Sequence, residues 1–428
     1  MFSLKYLKKK SYLVYGLGLS GRSVVNFFDK NNFKKYFVWD DNNQDLYKKK
    51  RAKNLNNSLK KVDYIILSPG VSLNLPKNKK KLINFEKKII TDIDLVFMTK
   101  NFSKSIVVTG TNGKSTVCKM LFHILKKNKI KSHLGGNIGK PILDLKIKKR
   151  DFLIIEASSY QLSHSKFIKP DYAILLNITN DHLDWHGNMK NYIKSKLKIF
   201  ELQSKNQYSI INNRFRKNFK KRGFLGKMVI PKMKNHLIKS KKIENLHLSS
   251  KFNQENMTYV FELTKLLKIN EKSLIHSLNS FKGLPHRFEI FLKKNNFTFI
   301  NDSKATTFES TKYALQNTEN IYWILGGLPK KNDKIKLKSL KKNIIKSYII
   351  GNNINFFKKQ LHNKLNYQIT KNLKNSIIQI IKDIKKSKNN KSTILLSPSS
   401  ASFDQYQNFE KRGNEFKRLS RNYARKYL

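Results

Sequence analysis

Cysteine is nearly absent from this chain. The single thiol, Cys118, cannot form an intramolecular disulfide, so the fold must rest on its core, and such usage fits a reducing cytoplasm. Acidic residues are scarce as well. Against 28 Asp and Glu stand 88 Lys and Arg, a formal net charge of +60 that would suit a protein drawing affinity from nucleic-acid phosphates. The lysines are spread along the whole chain instead of forming one arm, with Asn and Ile abundant beside them, as a biased base composition in the gene would produce. No specific nucleic-acid partner is expected, only non-specific adhesion to polyanions. Long hydrophobic runs are missing too. None approaches the roughly 18 apolar residues of a membrane span, and the basic opening "MFSLKYLKKKSYLVYGLGLSG" is broken by glycines and followed by Arg22, so it reads as a first strand and not a signal peptide. A soluble cytoplasmic monomer is expected.

What is present is repeated α/β alternation. At 428 residues, with about 150 per domain, roughly three domains are expected. The first, residues 1–91, opens with "SYLVYGLGLSGRSVVNFF", a strand, a G-x-G-x-x-G turn at Gly16, Gly18 and Gly21, and a helix. A second strand, "YFVWD", ends at Asp40, and "VDYIILSPG" supplies a third. This is the dinucleotide fingerprint, although the same geometry serves any diphosphate. The second domain, 92–283, carries the strands "SIVVTG", "DFLIIEASSYQL" and "DYAILLNITNDHLDWHG", then a helix at "FNQENMTYVFELTKLL". The third, 284–428, repeats the pattern in "FTFINDSKATT", "IYWILGG", "KSYIIG" and "STILLSPSSASFDQY". The fold class expected is α/β in three domains: Rossmann-like, then a parallel sheet of the P-loop ATPase kind, then Rossmann-like again.

Chemistry concentrates in "SIVVTGTNGKSTVCKML". The standard phosphate loop places four residues between its first Gly and the Gly-Lys-Ser/Thr, whereas here only Thr111 and Asn112 separate Gly110 from Gly113. Backbone N–H groups and the helix N-terminus can still cradle β- and γ-phosphates, Lys114 adding a point charge and Ser115 or Thr116 a hydroxyl for Mg²⁺. Glu156 ends an apolar strand, where a carboxylate has no packing rationale and could hold the same ion. His182 sits beside Asp181 and Asp184, and Asp302, Ser303 and Lys304 follow a strand, placed for a ribose or a phosphate. Cys118, one turn into the helix after the loop, is expected to pack. These residues indicate an Mg-ATP enzyme with a second diphosphate site, so one substrate is itself a nucleotide conjugate. An NAD-dependent oxidoreductase would explain Gly16, Gly18 and Gly21 but leave "TGTNGKST" idle.

The compact loop resembles that of the Mur ligases and their folylpolyglutamate synthetase relatives, which form amide bonds through an acyl phosphate. "GLGLSG", "SPGV", "TGTNGKST", "GGNIG", "EASSYQL", "NITNDHLD", "GLPHRFE", "NDSKAT" and "SPSSASFDQYQNFEKRGNEF" together resemble the D-glutamate-adding branch of the Mur ligase family, over almost the whole chain and in the family's order. The "DNPR" motif of the diaminopimelate-adding branch is absent. The resemblance implies ligation of D-glutamate to UDP-N-acetylmuramoyl-L-alanine with ATP and two Mg²⁺ ions. It implies ATP contacts at Gly110, Thr111, Asn112, Gly113, Lys114, Ser115, Thr116, Asn256, Arg287 and Asp302. Ser115 and Glu156 would serve the first metal, His182 and a carbamylated Lys196 the second. The UDP-substrate is implied at Gly18, Leu19, Ser20, Gly21, Asp40, Ser68, Ser158 and His182, with Asn137 toward its muramoyl-alanine end. D-Glutamate is implied at Lys304, Thr306, Lys330, Ser402 and Phe409, on a third domain that closes over the second. Lys114, His182, Lys196 and Lys304 are the implied catalytic side chains. One departure stands out: the family commonly has Arg or Thr just after the Asp40 acid, and here Asp41 and Asn42 follow.

Overall fold

The computed structural model describes residues 2–43, 45–73, 76–232, 242–245, 247–249, 251–330, 333–337, 339–387 and 391–428. The chain forms two compact units, Met1–Phe281 and Lys282–Leu428.

The first unit holds two parallel sheets. In the smaller, the order is β2-β1-β3-β4, from Tyr36–Trp39, Tyr12–Tyr15, Tyr64–Leu67 and Ile89–Ile90. These short β-branched and aromatic runs suit a buried pleated surface, and all four residues of β1 are buried. The helix Leu19–Lys30 lays Val24, Val25 and Phe28 against Tyr12 and Val14, the spacing that puts them on one helix face. Because β1 is followed by β2 on one side and β3 on the other, the glycine turn after β1 opens at the topological switch point where open α/β sheets gather ligands.

The second sheet, β10-β9-β8-β5-β7-β6, is built from β5 Lys104–Thr109, β6 Ser132–Gly136, β7 Phe152–Glu156, β8 Tyr172–Leu175, β9 Tyr208–Ile211 and β10 Lys227–Val229. Its central strands read as near-continuous apolar runs because both faces are covered. One core packs the helix Lys114–Lys127 and the helix Lys251–Leu266, and the other gathers Val107, Leu153, Ala173 and Phe200. Cys118 lies in the first of these, fully buried, and burial drives its thiol pKa well up, so it packs and does not react.

The second unit carries β11-β12-β16-β13-β14-β15, from Glu289–Lys294, Phe297–Asn301, Ser392–Leu396, Ile321–Gly326, Ile344–Ile350 and Tyr367–Lys371. Its edge strand β11 runs antiparallel, a hairpin with β12 turned at Asn295 in the left-handed region (φ 50), while the other pairings are parallel. The helix Leu373–Lys386 buries Ile377, Ile380, Ile381 and Ile384, each contributing about 1.5–3 kcal/mol by removal from water. With β16 between β12 and β13, the loops after these three strands emerge side by side. No helix among the described residues is long and apolar enough to cross a membrane.

Candidate active site

The turn after β5 is compact because a neighbouring strand end replaces the missing residues as its scaffold. Asn177, just beyond β8, accepts from Thr111 N at its carbonyl and from Asn112 N at Oδ1, both at 2.9 Å, and donates from Nδ2 to Asn112 O at 3.1 Å. Thr111 Oγ1 accepts from Thr179 N at 3.0 Å and lies 2.9 Å from the Tyr192 hydroxyl. Gly113 adopts φ 89, and a Cβ there would collide with the Asn256 amide, so glycine suits the position and lets the loop run close against Asn256. Lys114 folds back, its Nζ donating to Gly110 O at 2.9 Å and Thr111 O at 2.8 Å. The Lys196 Nζ donates to the same Gly110 carbonyl at 2.8 Å. Lys196 is 1% exposed and stands 4.6 Å from the centre of the Tyr192 ring. Burial first, and the Lys114 charge second, hold its pKa well below that of an ordinary lysine against a partial pull from Asp181. Among 88 basic residues nothing local in the sequence marks Lys196; the carbonyl above it does.

Glu156, the last residue of β7, is paired with Val108 of β5 and is 2% exposed. Its Oε1 accepts from Asn137 Nδ2 at 2.9 Å, while Oε2 is buried with no protein hydrogen-bond partner among the described residues. Such an orphaned carboxylate oxygen costs free energy unless something else satisfies it, and with the buried Ser115 hydroxyl on the adjoining helix it suits a hard cation. No group of three His, Cys, Asp or Glu side chains among the described residues forms a ready-made metal cage. His182 caps the short helix Leu183–His186 with φ 53. Its Nδ1 is 2.6 Å from the Tyr160 hydroxyl and its Nε2 3.4 Å from Asp181 Oδ2. Burial, then Asp184 and Asp181, push the Tyr160 phenol up to about 12, so it stays protonated on the imidazole. Ser158 is engaged as the cap of the helix Ser159–Ser163 in a reciprocal pair with Gln161.

In the first sheet the glycine turn is tied by acceptors. Asp40 Oδ2 accepts from Leu17 N at 2.6 Å, and Oδ1 from Asn42 N and Asn43 N at 2.9 Å each. Burial would raise the Asp40 pKa, but these three donors outweigh it and the pKa lies below the usual value. Ser68 Oγ donates to Gly16 O at 2.6 Å, and Gly21 packs so closely on that carbonyl that a Cβ could not fit. The departure at Asp41 has a local reason: its carboxylate accepts from the Tyr15 hydroxyl and the Lys81 ammonium at 2.9 Å and from Trp39 Nε1 at 3.1 Å, knotting β1 and β2 to the helix Pro76–Leu82 that follows β3. Leu19 at the turn is 78% exposed. Ser20 reaches the buried Asp92, which also takes bonds from Ile93 N and Gln161; burial dominates and lifts that carboxyl to about 6.

In the second unit, Lys304 Nζ lies 4.9 Å over the Phe409 ring and Lys304 N donates to His286 O. Ser402 is buried, Thr306 partly buried and Lys330 exposed. Asp302 accepts from Ser397 Oγ at 2.6 Å and Phe288 N at 3.0 Å; burial lifts it to about 7, against those bonds and the Arg287 charge. The structure thus brings Lys114, Lys196, Thr111 and Asn256 together at one loop, Glu156 with Asn137, and Lys304 with Phe409. Asn177, Tyr160 and Asp92, which hold the loop, His182 and Ser20, carry no implied role, although Asn177 opens "NITNDHLD" and Tyr160 lies within "EASSYQL". Asn177 had a signal, a lone amide directly after an apolar strand.

Comparison with known proteins agrees with this geometry. Residues 108–275 match the family described as "Mur ligase middle domain". The chain is 36% identical to the "UDP-N-acetylmuramoylalanine--D-glutamate ligase" of Wolbachia sp. subsp. Brugia malayi over 97% of each chain, and 36% identical to that of Buchnera aphidicola subsp. Schizaphis graminum over 98% of this chain and 99% of the other. Among solved structures, the UDP-N-acetylmuramate-alanine ligase of Thermotoga maritima superposes with a TM-score of 0.57 at 15% identity, covering 96% of this chain and 99% of that one. The MurF ligase of the same organism in complex with ADP gives 0.56 at 14% identity, covering 98% and 97%.

Proposed function

Because this chain belongs to the Mur ligase family, among the UDP-N-acetylmuramoylalanine--D-glutamate ligases, we propose that its loop from Gly110 to Thr116 activates the L-alanyl carboxylate of the UDP-substrate as an acyl phosphate for capture by D-glutamate. The enzyme is an ATP-dependent ligase of peptidoglycan precursors. The obstacle to its reaction is charge, since a carboxylate and a γ-phosphate repel. One observation carries the reading: the side-chain amines of Lys114 and Lys196 converge on the Gly110 carbonyl at the mouth of a helix N-terminus, Lys114 supplying the charge. Lys114 turns from the loop carbonyls to the phosphates when ATP binds. A carboxylate oxygen attacks the γ-phosphorus as the bond to the bridging oxygen breaks, and ADP departs. The deprotonated amine of D-glutamate then attacks the acyl carbon, and phosphate leaves with the C–O bond.

Magnesium, when bound, would neutralise phosphate charge, with Ser115 and Glu156 serving one ion and His182 and a carbamylated Lys196 the other. The depressed Lys196 pKa favours the neutral amine that a carbamate requires. Asn256, Arg287 and Asp302 serve ATP in this reading. Gly18, Leu19, Ser20, Gly21, Asp40, Ser68, Ser158 and His182 hold the UDP-substrate, with Asn137 toward its muramoyl-alanine end. Lys304, Thr306, Lys330, Ser402 and Phe409 receive D-glutamate. The three functional domains follow the boundaries 1–91, 92–283 and 284–428, and a cytoplasmic monomer is the working form.

An isotope experiment tests the activation step. With ¹⁸O in the alanyl carboxylate, one labelled oxygen is expected in each phosphate released; unlabelled phosphate would rule out the acyl phosphate.

A further inference from the structure

Arg412 lies in the first turn of the helix Phe409–Tyr427 and is 1% exposed. Its Nε donates to Ser303 Oγ at 3.0 Å, Nη2 to Ser303 O and Ser400 O at 2.9 Å each, and Nη1 to Gly326 O at 3.4 Å. One guanidinium therefore ties the segments that follow β12, β16 and β13, and Ser303 Oγ passes the connection on to Phe409 O at 2.9 Å. Gly327, at φ 130, lets the segment after β13 run close to Ala401 O, Ser400 Oγ and Arg412 Nη1, where a Cβ would collide with the first two.

Stability alone does not explain a charge here. Among the described residues no carboxylate lies within ion-pair distance of Arg412, and Asp404, which acts on it electrostatically, has Oδ2 engaged by Asn352 N at 3.0 Å. A buried cation without a counter-ion loses its hydration, and at a helix N-terminus it also faces the positive end of the helix dipole. A neutral amide could satisfy two of the same acceptors without either cost. The segments it joins carry Lys304 directly after Ser303, Ser402 two residues after Ser400, and Phe409 at the head of its own helix.

We propose that Arg412 is a positioning residue for the amino-acid site, locking three loops in register and standing as a fixed positive charge behind them that favours an amino acid with two carboxylates. This rests on the assignment of Lys304, Ser402 and Phe409 to D-glutamate given above.

The test uses the full-length enzyme with Arg412→Gln and Arg412→Lys, each checked by thermal melting. In Arg412→Gln the KM for D-glutamate is expected to rise by about tenfold or more, as loss of a charged hydrogen-bond set implies, while the KM values for ATP and the UDP-substrate stay near wild type. The preference for D-glutamate over D-glutamine should narrow in Arg412→Gln and persist in Arg412→Lys, which keeps the charge. An unchanged D-glutamate KM in a folded variant, or a parallel rise in all three KM values, would overturn the proposal. Should Arg412→Gln not fold, Arg412→Lys decides, because losing the forked geometry must still raise the D-glutamate KM. Lys304→Ala separates the two layers: if it leaves the D-glutamate KM unmoved, the site assignment fails whatever Arg412 shows.

Discussion

In the first sheet, the glycine turn after the leading strand is closed by protein acceptors and hydroxyls, with Leu17 N on the Asp40 carboxylate and Gly16 O under the Ser68 hydroxyl. In the second sheet the equivalent turn is held by two lysine side chains, with Gly110 O between Lys114 and the buried Lys196. Both turns lead a helix N-terminus toward solvent, so both can receive phosphates. The first turn also meets a cation, since Arg22 Nε donates to Leu17 O at 2.9 Å, but among the described residues no lysine is bonded to its carbonyls and its other partners fix shape. The second concentrates mobile or neutralisable positive charge where a phosphoryl group would develop negative charge. Binding a diphosphate needs the former; transferring a phosphoryl group needs the latter as well.

The largest expected effect comes from Lys114→Ala, which removes a cation from the second turn. Turnover should fall by about 10²–10³-fold with the melting temperature nearly unchanged, and a loss below tenfold would erase the distinction drawn between the turns. Gly21→Ala attacks the first turn by forcing a Cβ onto Gly16 O. Overpacking of this kind costs about 1–3 kcal/mol, visible in urea unfolding, and the KM for the UDP-substrate should rise while that for ATP holds.

Lys196 sharpens the comparison through pH. Its folded pKa is depressed below 10.5, so between the two values the unfolded chain binds the extra proton and stability rises with pH. In CO₂-free buffer the urea midpoint of wild type should therefore climb from pH 8 to 10 relative to Lys196→Met; identical slopes would refute a neutral buried amine. The smallest effect is expected from Asp40→Asn. Weakened acceptance from three backbone donors should cost about 1 kcal/mol at neutral pH, and because the folded pKa lies below 3.8, wild type should lose that advantage as pH falls through and beneath that value.

Much of this was legible in the sequence. Strands such as "YLVY", "FLII" and "YAIL" announce buried parallel sheets, and the glycines with Lys114 announce phosphate loops. Residues at fixed offsets from a strand end, such as Glu156 and Asp302, could be found the same way. Lys196 and Arg412 could not, because their character comes from burial by distant segments and a lysine-rich chain offers no contrast in composition. The antiparallel β11 was equally hidden, since its run Glu289–Lys294 is only partly buried and alternates weakly. Asp41, a departure from the family pattern in sequence, is a structural knot visible only when Tyr15, Trp39 and Lys81 are placed around it.

The most direct test of the account is phosphate release from Mg-ATP and UDP-N-acetylmuramoyl-L-alanine, with D-glutamate, L-glutamate, L-lysine or diaminopimelate supplied in turn to wild type and to Lys114→Ala. Release with D-glutamate alone, about 10²–10³-fold slower in the variant, is the predicted result. Release without preference among the four, or undiminished in Lys114→Ala, would contradict it.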